Sequence, residues 1–235
     1  MFIVGVDLGQ ARDYTAIAII EKLKQEGGAA YHVRRLERTR GTPYPQIVVR
    51  VKEILGKLES SYLVVDQTGV GAPVVDMFKQ RALRPIGVLI HGGDRITREG
   101  NTWRVPKRNL VGIMQVLLQN ERLKIAPGPL SDTLAKEMLN FRVKIDPLTA
   151  HDSYSAWREQ EHDDLVLAVS LACWWGETLR GRRHFQVPPV ASFNSNEIDR
   201  LAGAGYGEPH ISLQWDPAEQ ARREGEERGK TDKKT

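Results

Sequence analysis

Apolar positions change period several times along this chain, and each change marks an element. Residues 2–8 and 15–20 are apolar, β-branched-rich runs separated by Gly9-Gln10-Ala11-Arg12-Asp13. A third run, 31–36, is reached through the Gly27-Gly28 turn. Three such runs in close succession predict an antiparallel meander. The pattern then becomes helical, because Ile47, Val48, Val51, Ile54, Leu55 and Leu58 lie on one face at 3.6-residue spacing. Residues 62–65 read as a short strand buried on both faces. A helix over 73–81 follows, with Pro73 as its first residue, and then a strand over 86–90. Helical patterns return at 109–119, 131–140 and 162–178. The order of three strands, helix, strand, helix, strand and further helices predicts an α/β protein. Its mixed sheet would be flanked by helices on both sides.

Periodicity stops near Arg180. Beyond it come Gly181, Arg182 and Arg183, the pair Pro188-Pro189, and three glycines between positions 201 and 207. The last twenty residues carry six basic and six acidic side chains and few large apolar ones. Such a segment buries too little apolar surface to offset its ordering entropy. The sequence therefore predicts a folded domain over 1–179 and a partly ordered extension over 180–235.

Composition narrows the class without deciding it. Of 235 residues, 40% are hydrophobic and 27% charged, a globular balance. The single cysteine implies no oxidising compartment. The longest nearly apolar run, 165–175, is too short for a bilayer span, and the N-terminus does not read as a secretory signal. The expectation is a cytoplasmic protein without membrane contact. Lys plus Arg minus Asp plus Glu is 34 − 30 = +4, a mildly basic balance that permits a nucleic-acid partner.

Three acidic points stand out. Asp7 ends the strand Val4-Gly5-Val6-Asp7, and Asp66 ends Leu63-Val64-Val65-Asp66. A carboxylate at the end of a buried strand is costly unless paired, hydrogen-bonded or bound to a metal. Either could be a turn aspartate, but each is followed by a glycine within three residues, which lets backbone approach a ligand closely. The third point is Glu161-His162-Asp163-Asp164, opening a strongly apolar helix. One aspartate would serve as an N-cap, and two adjacent ones leave a carboxylate to point toward the sheet. Oxygen donors from two strands and one helix suit a hard divalent cation. The six histidines are scattered, so zinc spacing does not compete.

These residues resemble the RNase H-like nucleases, and among them the nuclease domain of phage large terminases. The similarity extends through Asp66-Gln67-Thr68-Gly69-Val70-Gly71, Leu110-Val111-Gly112-Ile113-Met114-Gln115, Leu134 with Glu137-Met138-Leu139-Asn140-Phe141, and His162-Asp163-Asp164-Leu165. It implies an RNase H-like fold over about residues 2–179, with the meander and the parallel strands in one central sheet. It also implies metal-dependent cleavage of concatemeric viral double-stranded DNA during packaging, in the host cytoplasm. A packaging ATPase, portal and small terminase are the implied partners. Asp7, Asp66, Asp163 and Asp164 carry over as catalytic metal ligands for two Mg²⁺ or Mn²⁺ ions, with Asp13 as an accessory acid. Asp163 is expected as the inner ligand, two residues before a leucine, and Asp164 as the second or outer one. The sequence lacks a Gly-x-x-x-x-Gly-Lys-Ser/Thr loop, so the expectation is an isolated nuclease domain or a stand-alone nuclease.

Two other readings share the strand order. An ATP-binding domain of the actin, sugar-kinase and Hsp70 group would use the loops after Asp7 and Asp66 for phosphate, but it leaves the acidic pair at 163–164 without a role. A RuvC-like Holliday-junction resolvase shares the carboxylates and differs in the middle and late motifs. For DNA contact, Arg95, Arg98, Arg104, Lys107 and Arg108 cluster around Trp103. They read as a loop and helix start that would grip phosphates without reading bases.

Overall fold

The protein is described from a computed structural model, which covers residues 1–10, 13–26, 28–141, 144–145, 152–153 and 162–179. The meander comprises β1 (Phe2–Asp7), β2 (Tyr14–Gln25) and β3 (Gly28–Arg40). It is followed by α1 (Tyr44–Gly56), β4 (Ser61–Asp66), α2 (Gly71–Gln80) and β5 (Ile86–His91). A hairpin of β6 (Thr97–Glu99) and β7 (Thr102–Pro106) leads into α3 (Lys107–Gln119) and β8 (Leu123–Ile125). Then come α4 (Ser131–Asn140), the two-residue pair β9 (Lys144–Ile145) and β10 (Asp152–Ser153), and α5 (Asp164–Thr178). The main sheet has eight strands in the order β6-β7-β5-β4-β1-β2-β3-β8. β1 pairs antiparallel with β2 and parallel with β4, so the sheet is mixed.

Strand alternation divides the core in two. Val4, Val6, Ile17, Ile19, Leu63 and Val65 face α1 and α2. Ile3, Ala16, Ala18, Ile20, Val64 and Val88 face α3, α4 and α5. Gly5 lies on the second face, and there α5 rests directly on the sheet. A Cβ at Gly5 would stand 2.0 Å from the Ala168 carbonyl oxygen, so only glycine permits this approach. α5 is buried almost all round, which explains its continuous apolar run.

Three details differ from the pattern-based expectation. α2 starts two residues earlier, at Gly71, which leaves Pro73 at the third helical position. Proline is tolerated there because the first four helical N–H groups have no intrahelical acceptor. The segment read as a loop before α3 is the β6–β7 hairpin. Its Trp103 packs edge-on against Trp174 of α5, with ring centroids 5.5 Å apart. The short β8 carried too few residues to declare a period, and it pairs parallel with β3. Among the described residues no helix is long and apolar enough to cross a membrane. The extension expected over 180–235 lies outside the described residues.

Candidate metal centre

Alternation places both strand-end aspartates on the α5 side of the sheet. Asp7 follows Ile3 and Gly5 at two-residue steps, and Asp66 follows Val64. β1 and β4 are parallel and adjacent, with Val6 opposite Val65, so the two carboxylates emerge side by side at the same strand ends. The crevice at the carboxyl ends of parallel strands is where open α/β sheets place ligands. On the other side of β1, Asp7 lies opposite Ala16, and Ala16 lies opposite Arg38 of β3. The small Ala16 side chain leaves a lane across the sheet from the guanidinium toward the aspartates.

The N-terminus of α5 closes the group from above. Asp163 is the residue preceding the helix and Asp164 its first residue, yet no side chain of the N-cap residue bonds the helix amides. Asp163 Oδ2 instead accepts from Lys107 Nζ at 2.5 Å. Asp164 Oδ2 accepts from Arg38 Nη2 at 2.8 Å. Glu137 of α4 takes the helix amides: its Oε2 accepts from the N–H groups of Leu165 and Val166 at 2.9 and 3.2 Å. Its other oxygen lies 3.2 Å from Arg38 Nη2. Tyr14 supports the rim, with the Arg38 guanidinium 3.9 Å from its ring centroid and the His162 ring edge-on to it.

Electrostatics follow from this crowding. Asp7 is buried, and its carboxyl is held well above the usual range by burial first, then by the charges of Asp66, Asp164 and Asp163. Asp66 stands within hydrogen-bonding reach of Asp7 and accepts from the Thr68 N–H at 2.8 Å. Burial likewise raises Asp66 and Asp164, against the pull of Thr68 on the first and Arg38 on the second. Glu137 is pushed up to about 7 by burial, with Arg38 and the helix amides opposing. Each of these carboxyls binds its proton more tightly folded than unfolded. The stability they contribute is full below the unfolded values near 4 and is lost as pH rises through the folded ones. The metal-free melting temperature should therefore rise by about 3 °C or more between pH 7.5 and pH 5. A fall over that interval in a calorimetric scan would show the cluster to be held ionised.

The donor set is all carboxylate oxygen, and it fits a hard divalent cation in chemistry and in charge. It does not stand as a finished ligand shell. Among the described residues no three acidic, histidine or cysteine side chains are gathered tightly enough to hold an ion as they are. Asp163 and Asp164 face Lys107 and Arg38 instead. Ligation requires these two carboxylates to offer their oxygens to a cation beside or in place of those side chains.

Residues 4–173 match the family model for the terminase RNaseH-like domain. The chain belongs to that family. A curated relative, the terminase large subunit of Thermus phage G20c, is 21% identical over 172 residues. That match covers 73% of this chain and 31% of the phage protein, so the chain spans under a third of its relative's length. The crystal structure of the large terminase nuclease from phage G20c with bound magnesium is 21% identical, with a TM-score of 0.54, covering 74% of this chain and 80% of that one. The same nuclease with bound cobalt is 20% identical, with a TM-score of 0.52 and the same coverage. At these identities the likeness establishes the RNase H-like fold.

The remaining sequence-selected residues fall in two places. Asp13 is exposed, in the turn where its N–H bonds the Gln10 carbonyl at 2.7 Å. Arg95 and Arg98 are exposed before and on β6, and Arg104 is exposed on β7, 3.8 Å from Glu99. Arg108 pairs with Asp94 at 2.7 Å. Lys107, selected as a DNA contact, stands at the acidic cluster itself. Pattern reading missed Arg38 and assigned no role to Glu137. The available signal for Glu137 was a carboxylate on the buried face of an amphipathic helix, between Leu134 and Met138.

Proposed function

We propose that this chain is a metal-dependent endonuclease of the large-terminase type that hydrolyses double-stranded DNA. The observation that carries the reading is the convergence of three carboxylates, from the end of β4 and the start of α5, on Asp7, with the two aspartates at α5 unused as helix caps. Asp7 would be shared between two divalent cations, with Asp66 completing one site and Asp163 and Asp164 the other, and Asp13 in reserve. When bound, such a pair supplies an activated water at neutral pH and stabilises the charge that develops on the departing oxygen. The phage G20c nuclease solved with magnesium and with cobalt supports a divalent cation, and Mg²⁺ or Mn²⁺ is the ion type proposed.

The chain's own groups have separate tasks. Asp7 and Asp66 would have to be ionised to hold a cation, because ligating carboxylates must be deprotonated, so loading should release protons. Lys107 lies between the acidic cluster and the hairpin, so a phosphate drawn to the cluster meets its ammonium first. Arg95, Arg98 and Arg104 would hold the duplex by its phosphates. The Arg104–Glu99 pair is more than half exposed on both sides and contributes little to stability, so Arg104 can turn to DNA at small cost. Packaging ATPase, portal and small terminase would present the concatemer in the host cytoplasm.

Digestion of a supercoiled plasmid tests the reading. Nicked and linear products are expected with Mg²⁺ or Mn²⁺, and none with EDTA or with ATP alone. Cleavage that survives EDTA would remove the metal. For the hairpin, the R95A/R98A/R104A variant should bind random duplex more weakly. Its log-affinity against log-salt plot should be shallower by up to about 3, near 0.9 for each phosphate that is no longer neutralised. An unchanged slope in a fluorescence titration would take the hairpin out of the DNA path.

A further inference from the structure

We infer that Glu137 is a positioning residue: by capping α5 from a neighbouring helix, it frees Asp163 from capping and keeps the acidic pair available to a cation. The inference rests on the metal site proposed above for its functional consequence, but its structural half stands alone. An N-cap aspartate ordinarily accepts hydrogen bonds from the second and third helical N–H groups. With Asp163 preceding α5, those are the amides of Leu165 and Val166. Both donate to Glu137 Oε2. Glu137 thus occupies the bonds that Asp163 would otherwise make.

The position of Glu137 is fixed by its own helix. Leu134 and Met138 are buried on either side of it in α4, and its side chain is only 5% exposed. A buried carboxylate at a helix N-terminus is favoured by the helix dipole as well as by the amides. The opposite end of α5 carries the complementary arrangement, with Lys22 Nζ donating to the Gly176 carbonyl at 2.5 Å. Relieved of capping, Asp163 turns to Lys107 and Asp164 to Arg38. Glu137 also sits 3.2 Å from the guanidinium that holds Asp164. One side chain therefore holds the helix end and lies beside the guanidinium that orients its first residue.

Without Glu137, the nearest replacement acceptor for the two amides is Asp163. The cap would be regained and a ligand lost. A neutral glutamine keeps an acceptor oxygen and should preserve the arrangement.

Three readouts on the whole chain test this. Amide hydrogen exchange in metal-free protein should show Leu165 and Val166 equally slow in wild type and D163A, since alanine, unlike asparagine, leaves no capping acceptor at 163. Acceleration of about ten-fold or more in D163A would show that Asp163 is the cap, and would overturn the inference even if E137A fails to fold. In melting scans, D163A should cost several degrees more in the E137A background than in wild type, because Asp163 has there become the cap. Additive shifts would overturn it. In Mn²⁺ titrations followed by melting temperature, E137A should need roughly 10- to 100-fold more ion for the half-maximal shift, and E137Q less than about three-fold more. An E137A midpoint equal to wild type would remove the positioning role. Absence of any Mn²⁺ shift in wild type would sink the metal site alone, since exchange and the melting cycle judge the cap without metal.

Discussion

Asp7→Asn is expected to abolish metal-dependent cleavage and, in the same protein, to raise the metal-free melting temperature. The two effects share one cause. Asp7 is buried, as Asp164 is, and three further carboxylates act on it. Like charges in a poorly solvated site raise one another's proton affinity and oppose folding when ionised. Asparagine has nearly the same shape, and its amide can donate to Asp66, so the fold loses nothing. It removes the cost of either ionising or protonating a buried carboxyl at neutral pH. A gain of about 1 kcal/mol, or roughly 2–4 °C, is expected at pH 7.5, shrinking toward pH 5, where protonating a carboxyl costs less. For activity, loss of an outer-shell partner costs 10- to 100-fold in metal sites, and loss of a shared ligand should exceed about 100-fold. The Mn²⁺-induced melting shift should vanish with it. A variant that cuts plasmid at near wild-type rate would show that the ion sits elsewhere. A variant that melts lower would show that Asp7 is held by its neighbours rather than repelled.

Different parts of this molecule were legible in the sequence for different reasons. α1 and α4 announced themselves by a one-sided apolar stripe. Asp7 and Asp66 could be singled out because each interrupts an otherwise apolar strand at its last residue. The β6–β7 hairpin could not, because Thr97-Arg98-Glu99 and Thr102-Trp103-Arg104 have no apolar alternation. Trp103 is held by rings supplied from α5, over 70 residues away in the chain. Helix periodicity could not rank Asp163 against Asp164, since α5 is buried on nearly every side and has no single inward stripe. The structure supplies a different distinction: Asp164 is the more buried and faces Arg38, while Asp163 faces Lys107. Whether an aspartate at a helix start caps the helix or serves a site depends on what else reaches the amides. Glu137 does so from 28 residues away. Arg38 was equally hidden, because only the register β1–β2–β3 places it in line with Asp7 across Ala16.

That register makes Arg38 a residue of the site whose loss should harm the metal-free fold. Its guanidinium serves two carboxylates, Asp164 at 2.8 Å and Glu137 at 3.2 Å, and its side chain is 13% exposed. Arg38→Met keeps much of the length and packing while removing the charge. Removing one member of a buried ionic group leaves the others uncompensated, at a cost of about 3–5 kcal/mol. Protonation of Glu137 limits the damage, so the loss should be greater at pH 8 than at pH 6. A divalent cation at the proposed site supplies the missing positive charge beside Asp164. Saturating Mn²⁺, at about 100 times its dissociation constant, adds about 2.7 kcal/mol to a folded state that binds one ion. The variant should gain more than wild type, because in wild type the ion competes with Arg38 for the same carboxylate. Urea unfolding of both proteins with EDTA and with Mn²⁺ measures the difference. If Arg38→Met loses as much stability with Mn²⁺ as without it, guanidinium and cation do not serve the same carboxylates, and Asp164 lies outside the metal site. If the loss shrinks by about 1 kcal/mol or more, Arg38 is the resident counter-charge of the metal-free site, which holds the acidic pair together until a cation takes over that role.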